Sequence, residues 1–195
     1  DRDYSAAQVI NMYNGEVVAE FYSNKTTIDE FSSILNKEAL YYNMANLVVE
    51  RNTVGNHVLD LLYNKFEYEN IWHDERGLPG FQVTVKNRET ILSELEENIR
   101  TNVLKINSQR TLNELNTFVI TSSGKINADR GNHDDLIMSL SLANHIMKDT
   151  RENTIVEFKN ESAFKEENKY ALKNKMPLIS HGGKTVEDLT WLMKD

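Results

Sequence analysis

Gly131-Asn132-His133-Asp134-Asp135-Leu136-Ile137-Met138-Ser139-Leu140 is the stretch from which the rest of the chain can be read. A glycine, an amide and a histidine lead into two adjacent carboxylates. Apolar residues then follow at helical spacing, through Leu142, Ala143, Ile146 and Met147. Asn132 suits an N-cap, which puts Asp134 and Asp135 in the first turn of a helix. Taken alone, such acids only complement the helix dipole, worth ~0.3–1 kcal/mol each. Their meaning changes if other acids reach the same place, and Glu50 and Asp3 both stand beside predicted strands.

The 195 residues are enough for one domain with a sizeable core and a tail. Hydrophobic residues make up 39% and charged residues 27%, the balance of a soluble globular protein. A formal net charge of -8 argues against a nucleic-acid binder held by phosphate contacts alone. It leaves room for an enzyme that meets phosphate through bound cations. The absence of cysteine excludes a disulfide frame and thiolate metal sites, and suits a reducing cytoplasm. Neither a signal peptide nor a membrane span is expected.

Upstream of the acidic stretch, residues 4–13 and 16–22 read as two strands joined by a two-residue Asn14-Gly15 turn. Thr27-Ile28-Asp29-Glu30 has the capping-box pattern and opens a helix over residues 28–41. Asn46-Leu47-Val48-Val49 suits a short parallel strand buried on both faces and ending in Glu50. Val58, Leu59, Leu61 and Leu62 mark the next helix, which ends near Lys65. Ile71-Trp72 reads as a brief strand, residues 76–80 as a Gly/Pro loop and residues 81–85 as extended. An amphipathic helix lies within residues 87–105 and a short one around Leu112 and Leu115. A second hairpin turns at Ser122-Ser123-Gly124, and the final helix closes a domain over residues 1–149. Residues 150–195 read as a polar extension with a terminal amphipathic helix around Val186, Leu189, Trp191 and Leu192.

A glutamate at the C-terminal end of a parallel strand faces the usual ligand crevice of an α/β sheet. There Glu50 can meet Asp134 and Asp135, and Asp3 can approach. Acids converging without basic partners repel one another unless hard cations join them, and all-oxygen ligands favour Mg²⁺ or Mn²⁺. Two such ions roughly 3.5–4 Å apart stabilise both the attacking and leaving oxygens in phosphodiester cleavage. His133 reads either as an outer partner of this site or phosphate contact, or as a helix-start histidine bonded to backbone. His57, His73, His145 and His181 lack ligand spacing, and no zinc site is expected. Gly182-Gly183-Lys184-Thr185 lacks the leading glycine of a phosphate-binding loop, since Leu178 stands there, so no ATP site is expected.

At this point the chain resembles a known family. The order hairpin, helix, strand ending in Glu, helix, and final helix opening with Asp-Asp is similar to the RNase H-like fold. Within it, the chain resembles the C-terminal nuclease domain of the large terminase subunit of tailed bacteriophages. The matching segments are Asp3-Tyr4-Ser5-Ala6, Val48-Val49-Glu50-Arg51-Asn52-Thr53-Val54-Gly55, Leu112-Asn113-Glu114-Leu115-Asn116-Thr117-Phe118 and the acidic stretch quoted first. They cover roughly residues 1–149. The resemblance implies an α/β domain with a mixed sheet, an opening antiparallel hairpin plus parallel strands, flanked by helices. It implies a two-metal endonuclease, using Mg²⁺ or Mn²⁺, that cuts concatemeric double-stranded viral DNA during genome packaging in the host cytoplasm. The portal protein, the small terminase subunit and an ATPase domain of the same full-length chain would be its partners. Glu50 matches the family's catalytic glutamate, the Asp134-Asp135 pair its final metal-binding acid, and Asp3 an additional acidic position. Which of Asp134 and Asp135 matters more stays open.

One departure stands out. The family's first catalytic aspartate lies on a strand ahead of the Asp-Tyr-Ser segment, and here nothing precedes Asp1. The expectation is a first strand cut short, with poor metal binding and weak or no nuclease activity in this piece. Arg51, Arg76, Lys86 and Arg88 either line the DNA groove or are ordinary surface charges. Two rival functions fit the same residues. A Holliday-junction resolvase or transposase would share the fold, though usually with a more basic surface. A non-catalytic docking module would use the acidic surface and the Trp191 segment to bind portal or small terminase.

Overall fold

The computed structural model describes residues 4–120, 126–128 and 133–150. By contacts the chain divides into units Asp1–Glu152 and Asn153–Asp195, and every described residue belongs to the first. Asp3, Asn132, the turn at residues 122–124, and everything read beyond residue 150 therefore lie outside the described residues. The described part is mixed α/β, with five helices and an antiparallel two-stranded sheet at its start. No helix among the described residues is long and apolar enough to cross a membrane.

Strands β1 (Ser5–Asn11) and β2 (Glu16–Ser23) pair antiparallel, with a register shift at Val9/Ile10. The expected two-residue turn is longer. Asn11 pairs with Glu16, which leaves Met12, Tyr13, Asn14 and Gly15 in the turn. A two-residue type I′ turn needs positive φ at both central residues, and here Gly15 has φ +70° while Asn14 is not in that region. Asn11 and Asn14 use their side chains instead, Asn11 Oδ1 accepting from Tyr13 N and Asn14 Oδ1 from Glu16 N, both at 3.0 Å. Gly15 is fixed further by packing, because a Cβ there would sit 1.7 Å from the Val103 carbonyl oxygen.

Helix α1 (Ile28–Tyr41) starts at the Thr27–Glu30 capping box expected from the sequence. It packs Leu35 and Ala39 against Val58, Leu59 and Leu62 of α2 (Thr53–Asn64). Between them runs the segment carrying Glu50. Its alternation is visible in the packing: Leu47 and Val49 join the α1/α2 cluster, whereas Val48 joins the other core cluster. Both faces are therefore covered, as a parallel-type strand requires. The parallel pairing itself is confined to single bridges, Leu47 with Ile71 and Glu50 with Phe81. The segment changes partner part-way, from one arm of the 71–81 loop to the other, so no continuous ladder forms.

Helix α3 (Val85–Arg100) begins two residues before its expected start, because Thr84 and Asn87 form a second reciprocal cap. It ends at Arg100, where Asn102 takes φ +58°. Helix α4 (Gln109–Asn116) leads into strands β3 (Phe118–Ile120) and β4 (Ile126–Ala128), which pair antiparallel as expected. The last helix among the described residues, α5 (residues 135–150), buries Leu136, Ile137 and Leu140 completely. They pack with Ile91, Leu92 and Leu95 of α3, so the helix that carries the acids is anchored in the larger core.

Candidate active site

Three elements bring the site together. The first is the strand end at Glu50. The turn Arg51-Asn52 leads into α2, and Asn52 Oδ1 caps that helix by accepting from Gly55 N at 2.7 Å. A Cβ on Gly55 would meet the Glu50 carbonyl oxygen at 1.7 Å, so only glycine lets the helix start press this closely on the strand end. The second element is the start of α3, which contributes Arg88. The third is the start of α5. Among the described residues its first helical bond runs from Met138 N to Asp134 O, 2.8 Å, which puts Asp134 at the N-cap.

Arg88 links the other two elements. Its Nη2 donates to Asp134 Oδ2 at 2.6 Å, and its charge acts on Glu50. Glu50 is held above the ordinary carboxylate range, first by burial and also by repulsion from Asp134. The Asn52 hydrogen bond and the Arg88 charge pull it the other way. Glu50 and Asp134, 84 positions apart by their numbers, thus feel each other's charge with one guanidinium serving both.

Asp135 belongs to a second neighbourhood. Its Oδ2 lies 3.6 Å from His133 Nδ1, and its charge acts on Glu114 and Tyr22. Tyr22 stacks on Tyr4 at a ring separation of 4.2 Å, and Tyr4 meets His133 edge-on. The Tyr22 hydroxyl is pushed up to about 12, chiefly by burial, then by Glu114, Asp135 and Tyr4, against the lowering effect of Arg110. It stays protonated at neutral pH.

Glu114, near the end of α4, was not singled out from sequence. Its Oε2 accepts from Leu136 N at 3.1 Å and from Ile137 N at 3.2 Å. Its pKa is raised to about 7 by burial first. The hydrogen bond from Ile137 N opposes this, the Asp135 charge adds to it, the bond from Leu136 N opposes it, and Asp134 adds to it. On a short polar helix Glu114 looks like one surface charge among several. Its partners lie 22 and 23 positions away, and no local pattern points to them.

The remaining cations have different surroundings. Arg51 is mostly buried and donates to Asp74 Oδ2 at 2.7 Å and to Pro79 O at 3.3 Å, fastening the loop to the Glu50 strand end. Arg51 leads the causes that hold Asp74 well below the usual carboxylate range, with help from Leu78 N and Arg76. Arg76 and Lys86 are exposed. His57 is exposed, His73 bridges Ile71 O and the Tyr63 hydroxyl, and His145 pairs with Glu94.

Glu50, Asp134 and Asp135 are all hard oxygen donors, the chemistry that Mg²⁺ and Mn²⁺ take. Among the described residues, no three acids or imidazoles are grouped as a ready metal cage. Contrary to the expectation from sequence, the acids do not converge without a basic partner: Arg88 pairs with Asp134, and its charge also acts on Glu50.

This architecture matches solved structures. The large terminase nuclease of the thermophilic phage G20c with bound cobalt superposes at TM-score 0.62 and 23% identity, over 74% of this chain and 75% of that one. The same nuclease with bound magnesium gives the same values. The chain has the fold of a large terminase nuclease. The nuclease domain of the Thermus phage P74-26 large terminase agrees, at TM-score 0.55 and 23% identity, over 73% of this chain and 72% of that one. No family model matches the chain.

Proposed function

We propose that this chain is the metal-dependent endonuclease domain of a phage DNA-packaging terminase. The observation that carries the reading is the 2.6 Å Arg88–Asp134 pair, with Glu50 in electrostatic reach of both, within the terminase nuclease fold. Glu50 and Asp134 provide the principal oxygen ligands for Mg²⁺ or Mn²⁺, with Asp135, and Asp3 from the N-terminal segment, completing the set. The solved nucleases with cobalt and magnesium support a divalent cation here. A pair of such cations would polarise the scissile phosphate and activate water, as in two-metal RNase H-like enzymes.

The chain's own residues do the rest. The strand end packed on the start of α2 and the start of α5 hold the carboxylates before substrate arrives. Arg88 neutralises them in the resting site and passes to a phosphate oxygen when DNA is present. Arg76 and Lys86 add exposed positive charge for the backbone. Arg51 acts indirectly, by fixing the loop beside Glu50. The substrate is concatemeric double-stranded viral DNA. The partners are portal, small terminase and the ATPase domain of the full-length protein, in the host cytoplasm. Residues 1–149 form the nuclease domain, and residues 150–195 an extension.

The test is Mn²⁺-dependent nicking of duplex DNA by the full-length terminase that carries this domain. The reading expects nicking that Glu50→Gln or Asp134→Asn lowers at least about 100-fold, the scale of losing a group that acts in the transition state. Nicking unchanged in either variant contradicts it. DNA binding with no Mn²⁺-dependent cutting favours the docking module, and preference for junctions over linear duplex favours a resolvase.

A further inference from the structure

The four helices α1 to α4 are each capped by their own N-cap side chain. Thr27 accepts from Glu30 N, Asn52 from Gly55 N, Thr84 from Asn87 N and Ser108 from Thr111 N. Helix α5 is built differently. Its N-cap is Asp134, a residue type that ordinarily turns its carboxylate back onto the N–H groups two and three positions on. Those positions are Leu136 and Ile137, and both N–H groups go to Glu114 Oε2 instead. Asp134 directs Oδ2 to Arg88.

We propose that Glu114 is a positioning residue for Asp134: by capping α5 from α4, it keeps the Asp134 carboxylate turned out toward Arg88 and Glu50. The physical reason is competition for one acceptor. A helix start has orphan N–H groups that must find partners. With Leu136 and Ile137 completely buried as residues, water is a poor substitute. If Glu114 did not serve them, the nearest acceptor would be Asp134 itself, through a short rotation about its own side chain. A capping Asp134 would commit one carboxylate oxygen and its side-chain rotamer to the helix, turning the group away from Arg88 and Glu50. Glu114 thus acts on the site through another residue. Because α4 leads directly into the β3–β4 hairpin, it also ties the hairpin stem to the orientation of the acid.

The orientation of Asp134 stands on this geometry alone, while its consequence for metal rests on the function proposed above. The experiment separates the two. Crystal structures of the chain and of Glu114→Ala are compared without metal, and Mn²⁺ affinity is measured for both and for Glu114→Gln. In Glu114→Ala, Asp134 is expected to rotate onto Leu136 N or Ile137 N and release Arg88. Its Mn²⁺ dissociation constant rises about 10–100-fold, the usual effect of losing a residue that orients a ligand. Glu114→Gln keeps an acceptor oxygen, so it retains the Arg88–Asp134 pair and loses less than about tenfold in Mn²⁺ affinity, short of the cost of removing an orienting partner. Stability alone does not discriminate, since any lost cap lowers it. Asp134 still paired with Arg88 in Glu114→Ala overturns the proposal. A rotated Asp134 with unchanged Mn²⁺ affinity supports the positioning and overturns the metal reading. Should Glu114→Ala fail to fold, Glu114→Gln decides: a broken Arg88–Asp134 pair there overturns the proposal, and an intact one supports it.

Discussion

Arg88 Nη2 lies 2.6 Å from Asp134 Oδ2, across 46 positions of sequence, and the same guanidinium lowers the pKa of Glu50. One cation therefore balances two acids that would otherwise repel. The pair is partly exposed, with the Arg88 side chain at 22% and Asp134 at 36%. Its contribution to folding is accordingly small, about 0–1 kcal/mol. Its importance lies in occupancy: a divalent cation shared by Glu50 and Asp134 must displace or outcompete Arg88.

Replacing Arg88 should thus separate two properties. Arg88→Gln removes the competitor, and Mn²⁺ should bind about tenfold tighter, the low end of what a neighbouring cation does to proton binding by a carboxylate (~1–3 pKa units). The same change should weaken DNA binding and reduce the dependence of log K on log salt by about one contact. Calorimetric Mn²⁺ titration and DNA binding across a salt series measure the two effects. Unchanged or weaker Mn²⁺ binding contradicts the competition.

Gly55→Ala tests how tightly the Glu50 strand end is held. Alanine is the better helix former by about 1 kcal/mol, so at an ordinary helical position the change would stabilise. Here the added methyl would meet the Glu50 carbonyl oxygen at 1.7 Å, and backbone must move. Overpacking of this kind costs about 1–3 kcal/mol or more. Urea unfolding should show a net loss of stability. A gain would mean that the strand end yields freely and that Glu50 is not rigidly placed.

Much of this arrangement was legible from sequence, for local reasons. The Thr27–Glu30 cap, the opening hairpin, the Glu50 strand end followed by a helix, and the apolar stripe from Leu136 to Met147 are all written in short-range patterns. The parts that were not legible depend on distant segments. The Glu50 segment fails to form a continuous parallel ladder because the 71–81 loop offers it two arms in succession. The Asn14-Gly15 turn lengthens because Asn11 and Asn14 bond its backbone, and because Gly15 packs on Val103. The start of α5 at Asp134 depends on an acceptor on α4. Sequence placed the two aspartates side by side. Only the fold gives them different neighbours, Asp134 facing Arg88 and Asp135 facing His133.

Glu114 also carries a pH signature. Its folded pKa of about 7 exceeds the ordinary value of 4.5, so the folded chain holds this proton more tightly than the unfolded one. The stability associated with that proton is full below pH 4.5 and is lost as pH rises through about 7. Glu114→Gln cannot ionise. The stability of the parent relative to Glu114→Gln should fall between pH 4.5 and about 7, then level off. Urea midpoints of the two proteins across that range measure it. Parallel profiles would show that Glu114 titrates alike in both states.

If Glu50 and Asp134 share a divalent cation, anomalous scattering from crystals of the chain soaked in Mn²⁺ should show it. The expected result is a Mn²⁺ peak in contact with carboxylate oxygens of both Glu50 and Asp134, with Arg88 withdrawn from Asp134. Ordered Glu50 and Asp134, Arg88 still paired with Asp134, and no Mn²⁺ in contact with either carboxylate would rule the shared cation out.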